Sequence, residues 1–346
     1  MDILFPLLSL IIAILSLSIS FILAKKGSET TSYLNIDKQY SDLLRIALDY
    51  TDLRRHQKTI QFYKEPEDSE FRARYNVYAY MTWNLIETIF DMQKDKEGRF
   101  NLSSTWLPVM FEENRLHYSW FKHNIKLFKT DFQNFVTSEL NDIEMIVGTV
   151  NDLADVYKSM LNNFPKHELK SQSHIEVLMH RNNYRLLLAR HKVFNQIIGF
   201  AFVYENQNHD FVWLDYMAID PLYQNAGYGT LLFNKLLNMI EEKHYGIYLE
   251  VEIPNEEDQK YIQQLSRIRF YKRLGVNILS DQYVFPNNLG GEPMYLCFKP
   301  LGNLNNLPKD QIKKAVMETF DFIHGDVEMR HEHFKRFMPA ISDVKF

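Results

Sequence analysis

The sequence predicts an α/β protein with a mixed central sheet, preceded by a single transmembrane helix and an all-α helical bundle. Three observations support this fold class. The chain opens with one uninterrupted apolar segment, continues with apolar residues at helical spacing, and alternates between strand and helix patterns from about residue 141. Its length of 346 residues exceeds the usual domain size of about 100–150 residues, so we expect several folded parts.

We divide the chain into a transmembrane anchor at 1–30, a helical bundle at 31–140, an α/β domain at 141–300 and a C-terminal helical tail at 301–346. A hydrophobic content of 46% is enough to build folded cores and excludes general disorder. The single cysteine, Cys297, excludes an intramolecular disulfide and is typical of a reducing compartment. The net charge of -5 provides no basic field, so we expect no nucleic-acid partner.

The opening apolar segment, residues 3–24, contains no charged side chain. At about 1.5 Å per residue, a helix of this length crosses the hydrocarbon core of about 30 Å. A signal peptide and a buried hairpin helix are the alternatives, but the apolar run is too long for a signal peptide. Lys25 and Lys26 follow the segment and no basic residue precedes it, which predicts a single-pass membrane protein whose bulk lies in the cytoplasm.

Residues 38 to 138 carry apolar side chains at spacings of three and four, which predicts an antiparallel bundle of three or four helices. The aromatic and lysine-rich stretch 117–129 could be a nucleic-acid or haem surface. A buried aromatic core with a solvated charged face is the favoured interpretation. No residue of this region indicates a chemistry, so the sequence assigns it no role.

The region after residue 141 predicts a sheet. Strands are expected at 143–147, 184–189, 197–204, 211–219 and 248–253, with a first helix at 151–161. Cys297 falls on a late strand, where we expect it to be a core residue. Pro308 opens a further helix with apolar residues on one face. The triplet at 331–333 contains two histidines, but no third ligand lies at a useful spacing, so we expect no metal.

The most informative segment is a glycine-containing turn between the 211–219 strand and an amphipathic helix, with Gly227 and Gly229 separated by one residue. Glycines let the backbone approach an anion, and the first N–H groups of the helix point towards it. The turn lacks the third glycine of a dinucleotide site and the lysine of a P-loop, so neither NAD nor ATP is the expected ligand.

Two motifs resemble the GNAT acetyltransferase superfamily. Residues 224–229 match its Gln/Arg-x-x-Gly-x-Gly/Ala cofactor motif, which follows the fourth strand. Residues 269–276 resemble its Phe-Tyr-x-x-Leu-Gly-Phe signature, with Val276 in place of the final phenylalanine. The resemblance extends over residues 141–300. It implies an N-acyltransferase that uses acetyl-CoA or another acyl-CoA and acts on a primary amine by direct attack.

The resemblance also implies where the donor binds. The backbone of the strand end and the turn would hold the cofactor, through residues Met217, Ala218, Ile219, Gln224, Asn225, Ala226, Gly227, Tyr228, Gly229 and Thr230. The acceptor amine, a small molecule or a protein, cannot be identified, and a homodimer stays open. The alternative is a non-catalytic protein that uses the same fold to sense CoA or hold a partner.

Acyl transfer needs an acid for the leaving thiolate and a base for the amine. Tyr271 matches the position of the family's acid. Glu250 matches a base used by some family members, and Asp215 is its rival because an apolar setting, on one face with Trp213 and Met217, would raise its pKa. Glu252 or a chain of waters remains a further option for the base.

A looser likeness to a bacterial subgroup of the family makes Glu168 and Tyr283 candidates for lining the acceptor side. The segment between Asn255 and Tyr271 is longer than is usual in the family, so the sequence leaves the role of Asn255 open.

Overall fold

The computed structural model describes residues 33–93, 106–206, 208, 210–240 and 244–346. The chain divides into two units, with the boundary between Leu140 and Asn141. The predicted transmembrane segment, residues 3–24, lies outside the described residues. Within the described ranges, no helix combines the length and the apolar character that crossing a bilayer requires.

The first unit is helical. Its helices are α1 (33–49), α2 (His56–Thr59), α3 (Glu70–Gln93), α4 (Leu107–Asn124) and α5 (Thr130–Asn134), followed by a π-helical turn at Phe135–Leu140. Aromatic side chains pack α3 on α4, with the Trp83 and Phe121 rings 4.4 Å apart. These rings are buried, as the core interpretation of the aromatic stretch predicts.

The second unit contains a mixed seven-stranded sheet. Its strands are β1 (Ile143–Val147), β2 (Tyr184–His191), β3 (Ile197–Glu205), β4 (Phe211–Ile219), β5 (Gly246–Glu252), β6 (Asn277–Phe285) and β7 (Glu292–Pro300). The order is β1-β2-β3-β4-β5-β7-β6, and only the β4–β5 pair is parallel. The predicted mixed sheet is therefore confirmed.

Helices cover both faces of this sheet. They are α6 (Leu153–Asn163), α7 (Gln172–Met179), α8 (Tyr228–Met239), α9 (Tyr261–Arg273), α10 (Lys309–Ile323) and α11 (Arg330–Phe337). The first face packs on α6, α7, α10 and α11, and the second face packs on α8 and α9. A small ribbon, β8 (Asn306–Leu307) with β9 (Val344–Lys345), completes the unit.

The C-terminal segment 301–346 belongs to the core of the second unit. Ile312, Val316, Phe320 and Ile323 of α10 are buried, as their spacing predicts, and they join the cluster that covers the first face. Cys297 is also in the core, at 2% exposure, and its burial raises the pKa of the thiol to about 12. Such a thiol is protonated at neutral pH and is not a nucleophile.

The sheet opens at one end between β4 and β5. Their parallel pairing starts at Phe211 with Gly246 and ends at Leu214 with Leu249. Beyond that point β5 continues to pair with β7, and β4 continues to pair with β3. Consequently the two strands form a fork, and the β4 edge from 215 to 219 has no strand partner on the β5 side among the described residues.

Candidate functional site

Glu250 lies on β5, directly after Leu249, the last residue of β5 that pairs with β4. Its carboxylate accepts hydrogen bonds from the Tyr283 hydroxyl and from the Trp213 indole N–H, the latter at 3.3 Å. Burial raises the pKa of Glu250 to about 7, although both hydrogen bonds and the nearby Lys170 oppose the rise. A carboxylate that titrates near neutrality can accept a proton from an amine and release it again.

Asp215 is in a different environment from the apolar one that we predicted. Its Oδ1 atom lies 2.8 Å from the Lys170 ammonium and its Oδ2 atom accepts a 2.6 Å hydrogen bond from the Tyr184 hydroxyl. The side chains of Asp215 and Lys170 are 1% and 5% exposed, so this is a buried ion pair. Both carboxylate oxygens are engaged, which favours a structural role over a basic one.

A β-bulge explains the error about the surroundings of Asp215. Tyr216 pairs with Phe202 and Leu214 pairs with Val203, so Asp215 is the extra residue between them. The bulge shifts the alternation of side chains, and Met217 packs on the second face whereas Trp213 packs on the first. The prediction from the sequence assumed an unbroken strand with a period of two, and it therefore put Asp215 and Met217 on the same face of the sheet.

The buried pair makes a testable prediction. Asp215→Asn should lower the free energy of unfolding by about 3 kcal/mol, because the Lys170 ammonium would stay buried without its counter-charge. Urea denaturation followed by circular dichroism measures this change. Asp155→Asn is the control, since Asp155 and Lys158 form an exposed pair and its loss should leave the stability nearly unchanged. An Asp215→Asn protein that is as stable as wild type but inactive would instead identify Asp215 as the base.

Tyr271 lies on α9 and packs with the cluster on the second face, beside Phe233. Its hydroxyl has no hydrogen-bond partner among the residues that the structure describes. Burial raises the pKa of Tyr271 further above its usual value, so the hydroxyl keeps its proton. Glu250, with Trp213 and Tyr283, faces the opposite side of the sheet. A proton donor and a proton acceptor thus flank the fork from its two faces.

The glycine-containing turn leads into α8. Gly227 has a φ of 89° and immediately precedes the helix, and Asn225 has a φ of 64°. Only glycine adopts the first conformation without strain, so Gly227 is required by the backbone itself. The first N–H groups of α8 have no partner within the helix, and the positive end of its dipole lies there. The turn therefore has the properties of an anion site.

Other residues of the turn shape it in distinct ways. The Gln224 side chain donates a 2.9 Å hydrogen bond to the Ile219 carbonyl and so ties the turn to the end of β4. Tyr228 points into the protein, where its hydroxyl donates to Asn141 at 2.8 Å. A Cβ atom on Gly229 would meet the Phe270 ring at an ordinary 3.4 Å. The fold thus tolerates a side chain at Gly229.

Of the predicted cofactor residues, Met217, Ala218 and Ile219 form the unpaired edge of β4. Ala226 is buried and Thr230 lies in the first turn of α8. The strand edge and the helix N-terminus adjoin through the Gln224 bond, so the structure brings the predicted cofactor residues together. Tyr228 can contribute only its backbone because its side chain is buried.

Two further acidic residues lie near the fork. Glu252 pairs with Arg267 of α9, which leaves its carboxylate less available as a base than that of Glu250. Glu168 precedes the buried Lys170, and its pKa is raised to about 7 by burial and by the charges of Glu252, Glu292 and Glu250. The side-chain oxygen of Asn255 accepts a hydrogen bond from the Glu257 N–H, and this bond shapes the turn after β5.

The structure adds residues that the sequence did not indicate. Lys170 and Tyr184 hold Asp215, and His324, which directly follows α10, lies with Asp215 and Glu250 in one group whose ligand-type atoms are within 4.8 Å of one another. No local motif marks any of the three, because they meet only through tertiary packing. The triplet at 331–333 does not converge on one point: His331 pairs with Asp321 and His333 is buried.

Comparison with known proteins shows which family the second unit resembles. Residues 150–276 match the model of the acetyltransferase (GNAT) family. The chain is 25% identical over 177 residues to a Bacillus subtilis (strain 168) protein called "Putative acetyltransferase YjbC", and the match covers 49% of this chain and 80% of that protein.

Two solved structures are similar to part of this chain. A "Putative acetyltransferase from GNAT family" from Bacteroides thetaiotaomicron is 24% identical, with a TM-score of 0.43, and the match covers 53% of this chain and 99% of that one. Arabidopsis thaliana NAA60 in complex with acetyl-CoA is 15% identical, with a TM-score of 0.36, covering 46% and 99% of the respective chains. The second unit is therefore similar, over residues 150–276, to the acetyltransferase (GNAT) family.

Proposed function

We propose that this protein transfers the acetyl group of acetyl-CoA directly to a primary amine at the β4–β5 fork. One observation carries the proposal. The fork opens between the Glu250 carboxylate, whose pKa is near neutral, and the Tyr271 hydroxyl, which has no hydrogen-bond partner in the described ranges; the two lie on opposite faces of the sheet. The donor can therefore enter from the second face while the amine approaches from the first.

The donor, acetyl-CoA, would bind along the N-terminus of α8 and the edge of β4 that faces the fork. Its pyrophosphate would accept hydrogen bonds from the backbone N–H groups of 224–230, at the N-terminus of α8. Its pantetheine arm, which contains amide groups, would pair with the free β4 edge at 217–219 in the manner of an added strand. The thioester would then lie in the fork, beside Glu250 and below Tyr271.

The chemistry follows from these positions. Glu250 takes a proton from the acceptor amine, whose nitrogen forms a bond to the thioester carbonyl carbon. The carbon–sulfur bond then breaks and its electron pair leaves with sulfur. Tyr271 gives its proton to the thiolate and is reprotonated from solvent. The products are an N-acetylated amine and free CoA.

The Tyr271→Phe variant should lower the rate of acetyl transfer about 100-fold, because it removes only the proton donor and keeps the ring. Release of free thiol from acetyl-CoA, with a panel of amines and the full-length protein in detergent, measures the rate. Tyr261→Phe is a matched control on the same helix, since the Tyr261 hydroxyl makes only an exposed contact to Glu256. Equal rates for Tyr271→Phe and wild type would remove Tyr271 from the mechanism.

The same assay distinguishes the alternative function. If wild type and Tyr271→Phe are both inactive over the whole amine panel while CoA binds, the domain serves to sense CoA or to hold a partner. The retained glycine turn alone would explain that result. Transfer to any amine by the wild-type protein decides for the enzyme.

We also propose that residues 3–24 anchor the protein in a membrane with the acetyltransferase domain on the cytoplasmic side. The absence of charge in this segment and the two lysines after it support the orientation. The full chain should stay in the membrane fraction after a carbonate wash, and a variant lacking 3–24 should be released. Protease added to intact cells should leave a C-terminal tag uncut. Cleavage of the tag would reverse the orientation.

A further inference from the structure

Three side chains from separate elements converge beneath the fork: Asp215 at the β4 bulge, Glu250 on β5 and His324 after α10. One ligand-type atom from each lies within 4.8 Å of the other two. Two carboxylates and one imidazole in such an arrangement are a common ligand set for a transition-metal ion. A cluster of this kind is not a site by itself, and His324 supplies an independent observation.

His324 is 1% exposed, and its Nε2 atom has no hydrogen-bond partner among the described residues. Buried polar atoms are almost always paired in folded proteins, and an unpaired one is costly. The ring is held by aromatic contacts, with Phe285 at 5.1 Å and Phe320 at 5.7 Å, so it is not free to turn towards solvent. The fold thus keeps a buried imidazole with one ring nitrogen within 4.8 Å of the two carboxylates, and its Nε2 atom has no hydrogen-bond partner in the described part of the chain.

We propose that Asp215, Glu250 and His324 bind a transition-metal ion of the Zn²⁺ type, and that the bound ion inhibits acetyl transfer. Imidazole with carboxylate favours Zn²⁺ or Co²⁺, whereas Mg²⁺ and Ca²⁺ prefer oxygen ligands alone. Ligand atoms around a tetrahedral Zn²⁺ lie about 3.4 Å apart, so the three side chains would move inward by roughly 1 Å. Three protein ligands leave the fourth position open.

Lys170 limits how tightly the ion can bind. Its ammonium lies 2.8 Å from Asp215, so two carboxylates and one ammonium surround the site before an ion arrives. Each carboxylate oxygen has a second lone pair, and Asp215 can therefore hold both Lys170 and the ion. Repulsion between the ion and Lys170 makes the site a reversible one, with an affinity on the order of micromolar rather than that of a structural zinc site.

The expected inhibition rests on the proposed function. An ion on Glu250 occupies the lone pair that would accept the proton of the amine. Zn²⁺ should therefore compete with the acceptor amine, and a chelator should restore the rate. His324 has no part in the transfer itself, so its replacement should abolish inhibition without changing the metal-free rate more than about twofold.

Binding is tested without any reference to catalysis. Co²⁺ is titrated into the chelator-treated full-length protein and its visible absorption is followed, with Zn²⁺ measured by calorimetry. We expect one ion per chain, and His324→Gln should raise the Kd at least tenfold. His331→Gln is the matched control, because His331 is half exposed and pairs with Asp321 outside the cluster; its Kd should equal that of wild type.

A second variant is expected to bind the ion more tightly, a result that damage to the fold cannot produce. Lys170→Met removes the competing charge and should lower the Kd at least tenfold, which a misfolded protein cannot do. Equal Kd values for wild type and His324→Gln, or no absorption change up to millimolar Co²⁺, overturn the site. If the protein binds the ion but acetylates no amine, the proposed function alone is refuted. If the protein acetylates an amine but Zn²⁺ neither binds to it nor inhibits the reaction, the metal site alone is refuted.

Discussion

Glu250→Gln should lower kcat/KM for amine acetylation by about 100-fold to 10,000-fold, the range for loss of a general base. Glutamine keeps the size of the side chain and its place between Trp213 and Tyr283 but cannot accept the proton. Initial rates of thiol release at several amine concentrations give kcat/KM. Circular dichroism confirms that the variant is folded.

The pH dependence provides a second readout of Glu250. The raised pKa of about 7 means that the carboxyl group is protonated below pH 7 and cannot act as a base. As the pH increases through about 7, deprotonation of Glu250 should therefore raise the wild-type kcat/KM, and Glu250→Gln should lack this increase. For an acceptor amine with a pKa of about 10, deprotonation of the amine adds the same slope to the plot of log kcat/KM against pH throughout this range.

Glu252→Gln is the matched control for this experiment. Glu252 lies two residues further along the same strand and is paired with Arg267, so its loss should change kcat/KM only a few-fold. If Glu252→Gln loses the activity while Glu250→Gln keeps it, the base is Glu252. If neither variant changes the rise through pH 7, a chain of waters must carry the proton.

The second large effect is expected at Gly227. With a φ of 89°, Gly227→Ala places a Cβ in the left-handed region, at a cost of roughly 1–2 kcal/mol in stability. It also distorts the turn whose N–H groups would bind the pyrophosphate. We expect the Kd for CoA to rise at least tenfold, as measured by calorimetry, while the unfolding curve shifts only by the backbone strain.

Gly302→Ala separates strain from binding. Gly302 has a φ of 58° and open space around it, and it lies outside the turn. This variant should lose a comparable stability but bind CoA as wild type does. If the two variants have the same CoA affinity, the turn does not hold the donor.

Much of the second unit was predictable because local patterns determine it. The strand at Ile143–Val147 has the predicted bounds, and Phe211–Ile219 does as well. The glycine turn was also visible, since a left-handed residue before a helix needs glycine whatever surrounds it. The apolar spacing of α10 predicted its buried face correctly.

The environment of Asp215 could not be predicted in this way. Its bulge depends on the register with β3, and its partner Lys170 lies in the loop before α7. A period of two describes an unbroken strand, and a single extra residue reverses the side chains that follow it. The apolar setting expected for Asp215 was therefore wrong, although the residue does lie at the fork.

The sequence alone determined the strands, the helical region and the glycine-containing turn, because each depends on neighbours along the chain. The family resemblance implied Glu250 and Tyr271 as the residues to test. Only the tertiary structure decided that Asp215 is in an ion pair whereas Glu250 accepts hydrogen bonds from uncharged donors, and it brought His324 close to both carboxylates from the C-terminal segment. Burial and charge act through space, so the chemistry of a carboxylate depends on residues far from it in the chain.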